Sequence, residues 1–510
     1  MARGQRKRKT RNPRILIVTP EITYLPEGMG NMANKLSAKA GGLADVSASL
    51  VSALEQQGAD VHVALPNYRR LFQVDVNQLI SKELRKYLNQ LSDKRIHLAE
   101  DRVFYYRDTV YSNYWQDSFK VSLAFQREVI NNIIPVVNPD LIHCNDWMTG
   151  LIPAMARRLN IPCLFTVHNI HTQEMSMEHI ENTGIDAAEF WKYLYFKRPP
   201  ANYEESRSTN QVDLLCSGIF AAHYINTVSP TFLREIVDGR HHFIPAHIRT
   251  EFKHKYDAGC AVGILNAPDP EESPATDEAL VRNYTAETHA TGKRANKIAF
   301  QKRIGLTVNP DAPLFFWPSR LDPVQKGPEL VTSILYDMIH TYWDDHLQVA
   351  VVANGSHQRA FHDVVHFHGF KDRVAVVDFD DSLSHLGYSA ADFMLMPSRF
   401  EPCGLPQMIS PKYGALPIVH DTGGLHDTVK HMDIANRAGN GFVFITYDTN
   451  GLRWAVDEAM RFFRESPELK AREISRIMRE AEREFNHAVT AQQYIDMYEM
   501  MLDRPLVVDH

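Results

Sequence analysis

Short apolar runs alternate with amphipathic stretches along most of the chain. The pattern is densest at 391–430, ADFMLMPSRFEPCGLPQMISPKYGALPIVHDTGGLHDTVK. The apolar run Ala391–Pro397 stops at a proline, the polar loop Ser398–Pro402 follows, and a helix is predicted from near Gly404–Leu405. A second apolar run, Ala415–Val419, leads into the Thr422-Gly-Gly turn and another helix. Fully apolar strands alternating with helices predict a parallel sheet covered on both faces.

The first half carries the same rhythm. A strand is predicted from Arg14 to Pro20. After an insert, Tyr24–Ala38, apolar positions Leu43, Val46, Leu50 and Leu54 mark a helix closed by Gly58, and Val61, Val63 and Leu65 mark the next strand. Asp140–Trp147, Ile161–Val167 and Ile225–Ser229 are further strands, whereas 170–212 is poorly periodic and predicts loops and short helices. Near 262–270 the composition shifts to Pro, Asp, Glu and Ser, which sets a domain boundary. Beyond it come a helix at about 292–305 and strands at Leu314–Trp317, Leu347–Ala353 and Val374–Val377. Ala488–Leu502, with Val489, Tyr494, Met497, Met501 and Leu502 on one face, predicts a closing amphipathic helix.

Composition narrows the class. With 510 residues, 44% hydrophobic and 23% charged, this is a globular chain of about two to four domains. No apolar run approaches the ~20 residues of a membrane helix, and no secretory segment opens the chain. Five cysteines without a CxxC pair predict neither a disulfide framework nor a zinc ribbon, and fit a reducing cytoplasm. Seven basic residues and no acid lie within the first fourteen, predicting a disordered solvated tail over 1–13. The rest is then more acidic than the overall −7, which argues against nucleic acid as the main ligand.

In open α/β sheets the ligand sits outside the carboxyl ends of the strands. Candidate chemistry falls there repeatedly. Gly423-Gly424 and Gly41-Gly42 sit on strand-to-helix turns, where amides and the helix dipole favour an anion, and Lys39 stands beside the latter pair. Ser319-Arg320 and Lys326-Gly327 bring cations to another strand end. Glu401 offers a carboxylate for sugar hydroxyls. Asp146 and His168-Asn169 end two strands of the first half; singly, His168 reads as structural and Asp146 as a helix N-cap. These residues suggest a pocket for a phosphorylated sugar. His362-Asp-Val-Val-His366 lacks the glutamate of a zinc helix, and Asp378-Phe-Asp380 reads as a strand-end loop, so no metal site is assigned.

Jointly these segments are recognisable. Lys39-Ala-Gly-Gly-Leu-Ala-Asp45-Val, His143-x-x-Asp-Trp, Thr166-Val-His-Asn, Asn226-Thr-Val-Ser-Pro, Gly263-Ile-Leu-Asn266, Ser319-Arg-Leu, Lys326-Gly, Pro397-Ser-Arg-Phe-Glu-Pro-Cys403-Gly404-Leu405 and Thr422-Gly-Gly-Leu occur in the order seen in glycogen and starch synthases. The chain resembles glycosyltransferase family 5 from about residue 14 to 502. The resemblance implies an α/β GT-B fold: two Rossmann-like domains facing a deep cleft, with the last helix crossing back to the first domain. The expected organisation is a basic tail (1–13), an acceptor-side domain (14–262), a nucleotide-sugar domain (263–487) and the closing helix (488–510).

It further implies retaining transfer of glucose from a nucleotide sugar, usually ADP-glucose, to the non-reducing end of an α-1,4-glucan, with no metal and no other cofactor. Arg320, Lys326, Lys39 and the glycine turns 41–42 and 423–424 are expected to meet the leaving diphosphate. Glu401 is expected to hold the glucose, and His168 to lie beside the anomeric carbon. Asp146 is placed on the sugar and acceptor side. Asp45, Asn169, Asn266, Cys403, Gly404, Leu405 and Thr422 complete the substrate-binding set. Phe379 falls where relatives stack an aromatic on the nucleobase; a core-facing ring is the competing reading. Departures from the pattern are the insert 24–38, one extra residue between Arg320 and Lys326, Ala267-Pro268 after Asn266, and Ile409 where some other GT-B enzymes carry a second glutamate. Two alternatives keep part of this reading: a GT-B enzyme using UDP-glucose or a small acceptor, and a catalytically silent glucan-binding protein.

Overall fold

The structure is a computed structural model; it describes residues 11–26, 29, 33, 36–39, 42–72, 95–111 and 115–507. The chain divides into two compact units. The first comprises Met1–Val228, Leu233–Ile264 and His487–His510, and the second Ser229–Phe232 and Leu265–Asn486.

The first unit is built on a seven-stranded sheet. Its strands are β1 (Arg14–Val18), β2 (Asp60–Pro66), β3 (Ile96–Ala99), β4 (Leu141–Asn145), β5 (Cys163–Val167), β8 (Tyr224–Thr227) and β9 (Ala261–Gly263), in the order β3-β2-β1-β4-β5-β8-β9. Every pairing in it is parallel. Parallel strands need helical crossovers on both faces, which is why Leu16, Ile17, Ile142, Leu164 and Phe165 are all buried irrespective of the face they point to. Between β5 and β8 a small antiparallel pair, β6 (Glu174–Ser176) and β7 (Gln211–Asp213), stands among short helices, in the stretch whose sequence lacks periodicity.

The second unit holds a six-stranded parallel sheet, β12-β11-β10-β13-β14-β15. Its strands are β10 (Leu314–Trp317), β11 (Gln348–Val352), β12 (Val374–Val377), β13 (Phe393–Met396), β14 (Leu416–His420) and β15 (Phe442–Phe444). One apolar cluster fills each face: Trp317, Val331, Leu335 and Leu452 on one side, Phe300, Phe316, Tyr388 and Tyr413 on the other. Counted along the chain, both sheets run third, second, first, fourth, fifth. The order therefore reverses between β1 and β4 in one unit and between β10 and β13 in the other, the positions where open α/β sheets leave a crevice.

The closing helix spans His487–Leu502 and belongs to the first unit. It is anchored by buried polar contacts as well as packing. The Tyr498 hydroxyl lies 2.7 Å from His143 Nδ1, and His143 Nε2 lies 2.6 Å from the Thr166 hydroxyl. Thr166 donates to Asn226 Oδ1, whose Nδ2 donates to the Tyr494 hydroxyl at 3.0 Å. Thr166 therefore accepts from His143 Nε2–H, which leaves Nδ1 to accept from Tyr498. Of the predicted face, Tyr494 and Met497 are buried while Val489 is 43% exposed, and Ile495 and Tyr498 join the core.

Residues 1–10 of the basic tail lie outside the described residues. Arg11, within the predicted solvated arm, pairs with Asp140 at 2.9 Å. Part of the insert 24–38 also lies outside them; of the rest, Leu25, Met29, Ala33 and Leu36 are buried, and Ile22 bridges Ala38. Among the described residues no helix is long and apolar enough to cross a membrane.

Candidate active site

In the first unit, chemistry collects where β1, β4 and β5 end. Asp146 follows β4 with φ 55° and ψ 179°, a left-handed φ that a non-glycine residue adopts only under constraint. Its carboxylate caps no helix, contrary to the structural reading of the sequence. Instead Oδ1 accepts the main-chain N–H groups of His168 (2.7 Å) and Asn169 (3.4 Å), tying β4 to the β5 loop. Burial pushes Asp146 up to about 7, against the pull of those amides, and the nearby Glu21 adds to the rise. His168 Nε2 lies 3.0 Å from Asn145 Oδ1, and burial lowers the imidazole to about 3. Asn169 is exposed.

Two residues here were not singled out in the sequence. Glu21 is 1% exposed, follows β1, and accepts from the Tyr111 hydroxyl at 3.1 Å. Burial and Glu21 together raise Tyr111 well above its ordinary value. A glutamate just beyond an apolar strand was the one signal for the first. Tyr111 had none.

Asp45, in the helix Gly42–Gln56, is buried. It accepts from the Thr23 hydroxyl at 2.5 Å and pairs with Lys39 at 3.0 Å. Lys39 itself is half exposed, so a buried carboxylate holds the base of an outward-facing cation. Gly41 lies outside the described residues; Gly42 begins the helix.

In the second unit the centre is an ion pair. Lys326 Nζ lies 2.5 Å from Glu401 Oε2, both largely buried, and the Ser398 hydroxyl donates to the same oxygen at 3.0 Å. Glu401 Oε1 makes no hydrogen bond among the described residues. Gly327 makes the pair reachable: at φ +72°, an added Cβ would meet the Pro397 carbonyl at 2.3 Å. The loop after β10 therefore lies directly against the end of β13. Arg320, on the same loop, is exposed, and its guanidinium makes no ion pair or hydrogen bond among the described residues. The two cations thus divide, one inward to Glu401 and one outward.

The Thr422-Gly-Gly turn packs directly against the 401–403 backbone. Gly424 N–H donates to the Glu401 carbonyl at 2.9 Å, so that amide is already engaged. The glycines are required by close approach: a Cβ at Gly423 would stand 2.0 Å from the Glu401 carbonyl oxygen, and one at Gly424 2.0 Å from that of Cys403. Thr422 is buried at the start of the six-residue helix Gly423–Thr428. The turn thus clamps the 401–403 backbone and aims the Glu401 side chain. Cys403 is buried, with its thiol raised to about 12 by burial and opposed by the Asn266 N–H. Asn266 Oδ1 is buried without a hydrogen-bond partner among the described residues. Gly404 takes φ +77°, and Leu405 begins the helix that follows.

Phe379 is 49% exposed and its N–H donates to Asn354 Oδ1 at 3.0 Å, so the core-facing reading fails. Asp380 caps the next helix through Leu383 N–H, and Asp378 accepts from Gln358, as strand-end loop residues do. Among the described residues, Glu174, Asp213 and His247 form one group with metal-ligand spacing. Its members are already engaged: Asp213 Oδ2 lies 2.9 Å from His247 Nε2, and Glu174 pairs with Lys197 at 3.0 Å. A cavity of about 500 Å³ opens beside it, between Lys197, Arg198 and the 208–211 turn, and none of the strand-end residues above lines it.

Two doubly wound sheets, each gathering its polar residues at the point of strand reversal, are the two halves of a GT-B glycosyltransferase. The family model "Starch synthase catalytic domain" matches residues 14–245, and "Glycosyl transferases group 1" matches 300–472. A glycogen synthase of Exiguobacterium sibiricum is 34% identical, covering 91% of this chain and 96% of that one. One of Moorella thermoacetica is 32% identical, covering 96% and 97%. The solved catalytic domain of Arabidopsis thaliana starch synthase IV, bound to ADP and acarbose, is similar with a TM-score of 0.76 and 25% identity, over 97% of this chain and all of that one. The chain belongs to the glycogen and starch synthase family, glycosyltransferase family 5.

Proposed function

We propose that the protein transfers glucose from ADP-glucose to the non-reducing end of an α-1,4-glucan, with retention at the anomeric carbon and without a metal. The observation that carries the reading is the buried Lys326–Glu401 pair at the β10–β13 reversal, within a chain similar to glycogen synthases over nine-tenths of its length. Departure of the nucleotide diphosphate develops negative charge. Lys326 spends one proton on Glu401 and keeps two for phosphate oxygens. Arg320, whose guanidinium has no partner among the described residues, adds a second cation. Glu401 Oε1 accepts from the glucose hydroxyls. Phe379 offers an exposed ring for the base. In the first unit, His168 and Asp146 attend the sugar and acceptor.

Retention is assigned to attack on the face the phosphate leaves. The anomeric carbon–phosphate oxygen bond breaks and the carbon–acceptor oxygen bond forms. The acceptor proton passes to the departing phosphate oxygen. A panel of ADP-glucose and UDP-glucose, each with and without glycogen, tests the reading through nucleotide release. Glycogen-dependent release of ADP is expected; release from neither donor overturns it.

A further inference from the structure

Asn145 ends β4 and is 3% exposed. Its carboxamide bridges two strands. Nδ2 donates to the Val18 carbonyl at the end of β1, at 3.2 Å, and Oδ1 lies 3.0 Å from His168 Nε2. A main-chain carbonyl can only accept, so Val18 orients the amide, nitrogen toward β1 and oxygen toward the histidine. That oxygen can also only accept, so the ring proton of His168 must sit on Nε2. Burial keeps the ring neutral at working pH, holding it down to about 3. A neutral imidazole protonated on Nε2 carries a bare lone pair on Nδ1, and Nδ1 has no partner among the described residues.

The charged and titratable groups around the ring leave its nitrogens alone. Asp146 is bound to main-chain amides through Oδ1. Glu21 is engaged with the Tyr111 hydroxyl. His143, on β4, is neutral through burial and bonded to Tyr498 and Thr166. Among the described residues, Asn145 alone addresses the imidazole.

We propose that Asn145 is a positioning residue: by fixing the tautomer of His168, it presents Nδ1 as a hydrogen-bond acceptor to a hydroxyl of the bound sugar. The opposite tautomer would set a lone pair against the amide oxygen and turn a donor toward the substrate. This inference rests on the sugar-transfer reading of the site.

Asn145→Asp keeps the shape of the side chain but sets a carboxylate against Nε2, which favours the imidazolium and converts Nδ1 into a donor. The expected result is a new acid limb in the pH profile of kcat/KM, absent from the parent, with about tenfold loss per unit below its midpoint and recovery toward pH 9. Asn145→Ala lowers the rate at every pH without adding a limb. Ring ¹⁵N shifts, in protein labelled at histidine and assigned through His168→Gln, report the tautomer directly in the full chain. Protonated Nε2 with bare Nδ1 is expected. A wild-type ring protonated on Nδ1, or an Asn145→Asp profile superimposable on the parent, overturns the proposal. The ring spectrum needs no turnover, so a protein that released no nucleotide would defeat the sugar-transfer reading while the tautomer still judged Asn145.

Discussion

The two units place their polar residues at the same topological position and treat charge in opposite ways. In the first, single ionisable groups stand half-buried with no counter-charge among the described residues, and desolvation drives them toward neutrality, His168 down to about 3 and Asp146 up to about 7. In the second, burial is met by pairing, Lys326 against Glu401 at 2.5 Å. Desolvation of an isolated charge is costly, and a short pair with a further hydrogen bond from Ser398 offsets that cost. Strand order alone therefore does not set a site's electrostatics; the loop residues do. A neutral, desolvated end suits hydroxyl groups. A cationic end suits a diphosphate.

The largest test removes the pairing. Glu401→Ala should lower kcat/KM for nucleotide release by about a thousandfold, the scale of losing a positioned charge contact in a dry site. It should also destabilise the fold by about 3 kcal/mol, since Lys326 is left buried without its partner. Turnover within a factor of a few of the parent would erase the distinction between the units. Next comes Gly424→Ala. Its Cβ would meet the Cys403 carbonyl at 2.0 Å, so thermal unfolding should show a loss of about 2–3 kcal/mol. A stable, fully active variant would mean that the turn does not clamp the 401–403 backbone by close approach.

A smaller effect distinguishes the neutral site. The folded pKa of Asp146, about 7, lies above its ordinary 3.8. The folded state therefore holds a proton that the unfolded chain releases, and this group's contribution to stability is lost as pH rises from about 4 through 7. His168 and His143 act oppositely: both are depressed to about 3, so their contribution is lost as pH falls from about 6.5. Asp146→Asn removes only the first effect. Its Tm relative to the parent should climb between pH 5 and pH 8; a constant difference would show that Asp146 ionises normally. Smallest is Tyr498→Phe, which deletes one buried hydrogen bond to His143. A loss of about 1 kcal/mol in denaturant unfolding is expected, with catalysis retained.

Much of this site could be read from the chain itself. Glu401, Lys326 and His168 stand where apolar runs give way to polar residues, and that position follows from period and punctuation alone. The polar partners could not be read so. Ser398 and Asn145 acquire meaning from which neighbouring loop they face, and Glu21 from following β1, the strand paired with the one that Asp146 follows. The purpose of Gly423 and Gly424 was also out of reach: a glycine turn before a helix looks the same whether its amides await an anion or its missing side chains admit a neighbouring backbone.

By itself the sequence determined the alternation of strands and helices, both parallel sheets and the strand ends at which chemistry gathers, because these depend on local period and on proline and glycine. Only the tertiary structure decided which cation turns inward, which carboxylate is paired and which is left alone in an apolar setting, and which face the closing helix buries. Those outcomes depend on desolvation and on hydrogen bonds between residues tens to hundreds of positions apart, as between His143 and Tyr498, and no local pattern encodes them.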